Sequence, residues 1–141
     1  MLARREYSRA ELAARLAAKG ARRDEVERIL DELATLGYLS DARFAHAVVA
    51  HKAGRFSRRA IAETLKASGI SAPDAADALA GHPIADDDVL VALWRRRFGR
   101  PPADEREKAR QVRFLQSRGF TPEVIQRVLE GGNNRQSELS K

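Results

Sequence analysis

Apolar residues along this chain recur at helical spacing, and glycines interrupt them at nearly even intervals. Val26, Ile29, Leu30, Leu33 and Leu36 follow an i, i+3, i+4, i+7 pattern, which predicts one amphipathic helix with a single apolar stripe. Further stripes occur at Phe44, Ala45, Val48 and Val49, at Val89, Leu90, Leu93 and Trp94, and at Val124, Ile125, Val128 and Leu129. A thinner one is carried by Ala75, Ala78 and Leu79. No segment alternates with the period of two that a half-buried strand requires, so the chain is predicted to be all-α. Leu30, Phe44, Trp94 and Leu115 are expected in the core.

The punctuation between stripes is repetitive. LAAKG (Leu16 to Gly20), LKASG (Leu65 to Gly69) and LQSRG (Leu115 to Gly119) each close a basic segment on glycine. Successive glycines lie 49 and then 50 residues apart, and Leu30, Leu79 and Leu129 each follow a glycine by ten. A period of this size marks a tandem array of small helical units. Ser8-Arg9-Ala10-Glu11 reads as a capping box, with Tyr7 and Leu12 at staple spacing; the same grammar of cap, staple and glycine stop recurs at Ser57, with Phe56 and Ile61 as the staple and Gly69 as the stop. The third copy of this helix runs from about Glu105 to Arg118. Each glycine predicts a left-handed C-cap, followed by a second helix that Pro73 and Thr121-Pro122 help to start in the later copies. One more helix precedes each later pair, starting at Ser40-Asp41 and at Asp86-Asp87-Asp88, where carboxylates cap the helix and complement its dipole. Leu2 to Arg5 resembles the last turn of an equivalent helix without its beginning.

The repeat is therefore three helices, here called a, b and c, with the first copy truncated. The array is expected to be elongated and curved. Its boundaries fall at 1–37, 38–82 and 83–130, with a stiff Gly99–Ala103 connector and a disordered polar tail over 131–141.

Composition adds a partner class. The 141 residues hold 26 Lys and Arg against 20 Asp and Glu, a net +6, which favours a polyanion. Aromatics are only 6% and cysteine is absent, so the core must be Leu, Ile, Val and Ala, and disulfide or thiolate chemistry is excluded. No apolar run approaches the roughly 18 residues of a membrane span. The start MLARREYSR has no secretory h-region. A cytoplasmic monomer without membrane contact is the expectation.

Candidate chemistry is sparse. His46, His51 and His82 lack a second ligand type at metal spacing, and Asp86 to Asp88 are explained by helix capping. No phosphate loop or nucleophile motif occurs, so neither an enzyme nor a cofactor or metal is expected. The remaining signal is basic. Arg95, Arg96, Arg97 and Arg100 lie within six positions, and Arg106, Lys108, Arg110, Arg113 and Arg118 follow. Arg55, Arg58, Arg59 and Lys66 form a smaller set. Arginine at a helix C-terminus offsets the dipole, which accounts for single residues better than for the run. The candidate partner- or DNA-binding residues are Arg58, Arg59, Lys66, Arg95, Arg96, Arg97, Arg100, Arg110 and Arg113.

Three-helix units also suggest helix-turn-helix readers, whose third helix enters the major groove. Asp24, Glu25, Glu27, Asp31 and Glu32 in the first c helix, and APDAADALAG in the second, would be repelled by phosphates. Only the third, with Gln126 and Arg127, suits base contacts.

LARREYSRAEL, LGYLSDARFA (Leu36 to Ala45), RRRFG (Arg95 to Gly99) and RQVRFLQSRGFTPEVIQRVL (Arg110 to Leu129) together resemble the RecX regulatory family, from Leu2 to about Leu129. That resemblance implies a small cytoplasmic bacterial protein of tandem three-helix repeats. It implies a partner, the RecA–DNA filament, and inhibition of RecA ATPase, strand exchange and filament growth, in recombination, DNA repair and the SOS response. Family members have a fuller first helix ahead of LARRE, so the first repeat here is expected to lack that helix's contacts. The alternative is a helical protein that binds nucleic acid non-specifically, single- or double-stranded, without RecA. A protein-binding solenoid adaptor is the third possibility.

Overall fold

The structure, a computed structural model, describes residues 5–83 and 85–139, with 132–139 described through their backbone alone. The expected helical turn at Leu2 lies outside the described residues, and Arg5 is not helical. Among the described residues the fold is eight helices and no strand: α1 (Arg9–Ala18), α2 (Arg23–Thr35), α3 (Asp41–Lys52), α4 (Arg58–Ala67), α5 (Ala72–Ala80), α6 (Asp86–Arg97), α7 (Glu105–Ser117) and α8 (Pro122–Leu139). Helices α1, α4 and α7 are the b helices, α2, α5 and α8 the c helices, and α3 and α6 the a helices.

The starts follow the predicted grammar. Ser8 Oγ accepts the Glu11 N–H at 3.1 Å, Ser57 Oγ that of Ala60 at 3.1 Å, and Asp104 Oδ1 that of Glu107 at 2.8 Å. Ser71 and Thr121 cap α5 and α8 in the same way, at 3.3 Å each. Gly20, Gly69 and Gly119 close the b helices with φ of 93°, 80° and 96°, a region L-residues rarely adopt.

The chain divides into two compact units, one of residues 1–51 with 61–83 and the other of 52–60 with 84–141. In the first, Val26, Leu30 and Leu39 form a buried cluster over which Leu12, Leu16 and Leu33 pack. Phe44, Ala45, Val49, Ile61, Leu65, Ile70 and Ala78 are also buried there. A fully buried leucine such as Leu30 or Leu65 contributes roughly 1.5–3 kcal/mol by leaving water. The Arg9 N–H donates to Asp41 Oδ1 at 2.7 Å, and the Arg9 guanidinium reaches Glu27 and Asp31 at 2.8 Å each. The hydrogen bond to Glu27, then that to Asp31, holds the Arg9 pKa above its ordinary value. A Cβ placed on Gly69 would stand 2.5 Å from the Ala10 Cβ, so this position excludes a side chain by space as well as by φ.

One member of the predicted stripe lies outside the core. Leu36 is 66% exposed, although it continues the α2 stripe. It is the C-cap of α2, whereas the partly buried Leu12 and Leu16 of α1 pack on the cluster of Val26, Leu30 and Leu39.

In the second unit Val89, Leu90, Leu93, Trp94, Leu115, Phe120 and Ile125 form the core. Trp94 Nε1 donates to Gln111 Oε1 at 2.9 Å in the interior, and Gln111 Nε2 donates to the Arg100 carbonyl at 3.1 Å. This relay fixes the 98–104 connector to α7, with every polar atom of the buried glutamine's amide engaged. Ser57 ties α4 to the turn after α7: its N–H donates to the Arg118 carbonyl at 2.8 Å and its Oγ to the Gly119 carbonyl at 2.9 Å. A Cβ on Gly119 would meet the Ala60 Cβ at 2.6 Å.

Two further expectations change here. Asp86 does not cap its own helix; its Oδ1 accepts the Arg58 N–H at 2.9 Å, while the α6 N-cap is Ala85 without a side-chain bond. Helix α8 continues to Leu139, where a disordered tail from 131 was expected. The polar residues there are acceptable helix formers, and the amphipathic start of α8 propagates through Gly131 and Gly132 at about 1 kcal/mol each.

Candidate functional site

Charge is divided unevenly between the units. The first carries ten Lys and Arg against eleven Asp and Glu, a net −1; the second carries sixteen against nine, a net +7. All of the excess positive charge therefore belongs to residues 52–60 and 84–141.

Burial of Val89, Leu90, Leu93 and Trp94 leaves the last turn of α6, Arg95 to Arg97, in solvent. Phe98 follows, and its ring meets Phe114 of α7 edge-on, with centroids 5.6 Å apart. On α7, Arg110, Phe114 and Arg118 stand at i, i+4 and i+8, on one face. The Arg97 guanidinium lies 4.7 Å from the Phe114 centroid, and that of Arg118 lies 5.3 Å from the same ring. Arg118 also lies 4.9 Å from the Phe56 ring, over which Lys52 Nζ sits at 4.5 Å. Cations and rings thus alternate in the order Lys52, Phe56, Arg118, Phe114, Arg97.

Each such contact contributes about 0.5–1 kcal/mol at an exposed site, because the ring face is the negative pole of its quadrupole. The rings also offset the mutual repulsion of three cations held in sequence. A guanidinium resting on a ring keeps its N–H edges free of the stack, and those edges match phosphate oxygens in pairs. Each of the two rings carries two of these cations, so the array presents charged groups rather than open ring faces. The chemistry fits a nucleic-acid strand.

The structure distributes the sequence candidates unevenly. Arg97 joins the array directly, and Arg95 and Arg96 are exposed beside it in sequence on the same last turn. Arg110 is one helical turn from Phe114 and makes a loose 3.8 Å pair with Glu107. Arg100 and Arg113 are exposed. Arg58 and Arg59 open α4, where the Arg58 backbone is held by Asp86, and both take part in interactions within the fold. Lys66 belongs to the first unit, on the last turn of α4. Lys52, Phe56, Phe114 and Arg118 were outside the candidate set. For Phe56, Phe114 and Arg118 the signal is the interleaving of scarce aromatics with arginine in GRFSRR and VRFLQSRG; Lys52 lies four positions ahead of Phe56.

The remaining base-reading candidate also changes. Arg127 is engaged by Asp87 at 3.1 Å and Gln126 by Glu130 at 3.2 Å, both along or beside α8. Among the described residues there is no group of three or more potential metal ligands, and no helix is long and apolar enough to cross a membrane. His46 Nε2 stands 3.2 Å from Asp77 Oδ2 on the surface.

Comparison with known proteins places this architecture. Family models described as the first, second and third three-helix domains of RecX match residues 1–33, 40–79 and 85–129. The regulatory protein RecX of Leptothrix cholodnii is 47% identical over 128 residues, covering 91% of this chain and 82% of that protein. The regulatory protein RecX of Chromobacterium violaceum is 44% identical over 134 residues, covering 94% and 86%. The crystal structure of RecX from Lactobacillus salivarius superposes with a TM-score of 0.64 at 19% identity, over 92% of this chain and 88% of that one, a likeness of fold. With three consecutive domain matches on an all-helical repeat and this identity over most of its length, the chain belongs to the RecX family of regulatory proteins.

Proposed function

We propose that the protein binds a RecA–DNA filament and inhibits RecA ATPase, strand exchange and filament growth, so acting in recombination and DNA repair. Family membership supports the partner, and the basic–aromatic array from Lys52 to Arg97 supports the mode of contact. The array offers cations for the phosphates of a strand held in a protein filament. The protein acts as a regulator rather than an enzyme, in the cytoplasm, as a monomer, and reaches DNA weakly or through the filament. Arg95, Arg96, Arg100, Arg110 and Arg113 extend the basic surface around the array.

The test measures RecA ATP hydrolysis on single-stranded DNA with wild-type protein and with Arg97→Glu/Arg118→Glu. The wild type lowers the rate and the variant, folded by circular dichroism, lowers it at least about tenfold less at equal concentration. Equal inhibition by both removes the array from the contact. The array alone also favours a second reading, non-specific binding to nucleic acid without RecA, in which bare DNA is bound as tightly as RecA-coated DNA and salt abolishes both alike.

A further inference from the structure

We propose that the Leu36–Tyr38 turn of the first unit is a docking site for a partner protein whose surface offers an apolar pocket rimmed by Lys or Arg. The inference rests on the reading that this chain acts on a protein–DNA filament, and it assigns the protein contact to a surface distinct from the basic array. Leu36 and Tyr38 are 66% and 62% exposed, the large hydrophobics that remain in solvent among the described residues. They flank Gly37, whose φ of 83° turns the chain out of α2.

The turn is held firmly. Leu36 N–H donates to the Glu32 carbonyl at 3.0 Å, Gly37 N–H to Ala34 at 3.1 Å and Tyr38 N–H to Leu33 at 2.9 Å. Leu39, next in line, is buried in the core. An exposed tyrosine and leucine on a fixed backbone lose little conformational freedom on binding, and tyrosine is among the residues that dominate protein interfaces. Beside Leu36 lies a shallow depression lined by Arg28, Asp31, Glu32 and Thr35, room for a partner side chain.

Charge selects the occupant. Helix α2 carries Asp24, Glu25, Glu27, Asp31 and Glu32 against Arg23 and Arg28, with Arg22 at its N-cap paired to Glu25 at the end away from the turn. Arg9 reaches Glu27 and Asp31, yet these carboxylates stay 60% and 72% exposed while Arg9 is largely covered. A phosphate backbone is repelled by such a rim, and the net −1 of the first unit gives it no compensating attraction. A protein surface with cations around an apolar pocket is complementary to it.

The test uses the full chain and single-stranded DNA, bare or RecA-coated, on an optical biosensor. Leu36→Ser/Tyr38→Ser, checked by its melting curve, is expected to lose about tenfold or more in affinity for the coated strand and to keep its bare-strand affinity within about twofold. Arg97→Glu/Arg118→Glu shows the larger loss on the bare strand. If the wild type binds the coated strand and Leu36→Ser/Tyr38→Ser binds it equally, the docking site is overturned and the filament reading stands. An equal loss on bare and coated strands makes the turn a nucleic-acid contact and also overturns it. Sedimentation showing a wild-type self-association that the variant lacks assigns the turn to a second copy of this chain, against the proposal. No wild-type binding to the coated strand removes both readings.

Discussion

The Asp86 carboxylate accepts the Arg58 backbone N–H at 2.9 Å, as Asp41 accepts that of Arg9 at 2.7 Å. The first two b helices, α1 and α4, therefore each receive a charge-assisted cap from the first residue of the a helix that follows, whereas α7 is capped by its own Asp104. Of the three consecutive aspartates in α6, Asp86 holds α4, Asp87 pairs with Arg127, and all three face the positive end of the α6 dipole. Asp86→Ala and Asp41→Ala are each expected to cost about 1–2 kcal/mol of unfolding free energy, and Asp87→Ala less than about 1 kcal/mol. Urea titration of the variants checks this; equal effects at Asp86 and Asp87 would contradict the cap.

The glycine turns differ in what surrounds them. Gly20 has open space at its Cβ position, whereas Gly119 faces Ala60 at 2.6 Å. Alanine at either site pays about 1–2 kcal/mol for positive φ, and at Gly119 a further 1–3 kcal/mol or so for overpacking. Gly119→Ala should therefore melt clearly below Gly20→Ala, and matching melting temperatures would remove the packing explanation.

The buried Trp94–Gln111 bond predicts a non-additive cycle. Gln111→Leu leaves the indole N–H without its partner, at about 1–3 kcal/mol. Trp94→Phe removes that donor, so the double variant should lose less than the sum of the singles. Denaturant unfolding of all four proteins gives the coupling, and strict additivity would show that the bond contributes nothing.

Arg97 and Arg118 should set the salt dependence of nucleic-acid binding. Removing two phosphate contacts with a single strand lowers the slope of log K against log salt by roughly 1.4. Phe56→Leu keeps an apolar side chain but removes a ring face. It should weaken single-strand binding and lower the salt slope, because Lys52 and Arg118 lose the ring that holds them together. Weaker binding with an unchanged slope would mean that the ring stacks on a base instead.

Much of the fold was legible because its signals are local. Ser8, Ser57, Thr121 and the glycines at 20, 69 and 119 act within a few residues of themselves, and the structure uses them as their types require. What failed was non-local. Leu36 fits the period of its helix, yet periodicity records only direction around an axis, and nothing in it tells where along the axis the core ends. Asp86 has the composition of a dipole-compensating residue, and its bond to a helix 28 positions earlier leaves no local trace. The candidate set caught the arginine run but not Arg118 or Lys52: each has a ring four positions away, at Phe114 and Phe56, and only the join of Arg118 to Phe56 crosses segments.

The bond between Ser57 and Gly119 spans 62 positions, and the close contact of Gly69 with Ala10 spans a similar distance. During synthesis the starts of α1 and α4 emerge well before the turns that seal them. At about 5–20 residues per second, the Ser57 hydroxyl waits roughly 3–12 seconds on the ribosome for its carbonyl acceptor. The first two repeats are thus each finished by the one that follows, and their closing contacts form one repeat behind the chain's own elongation.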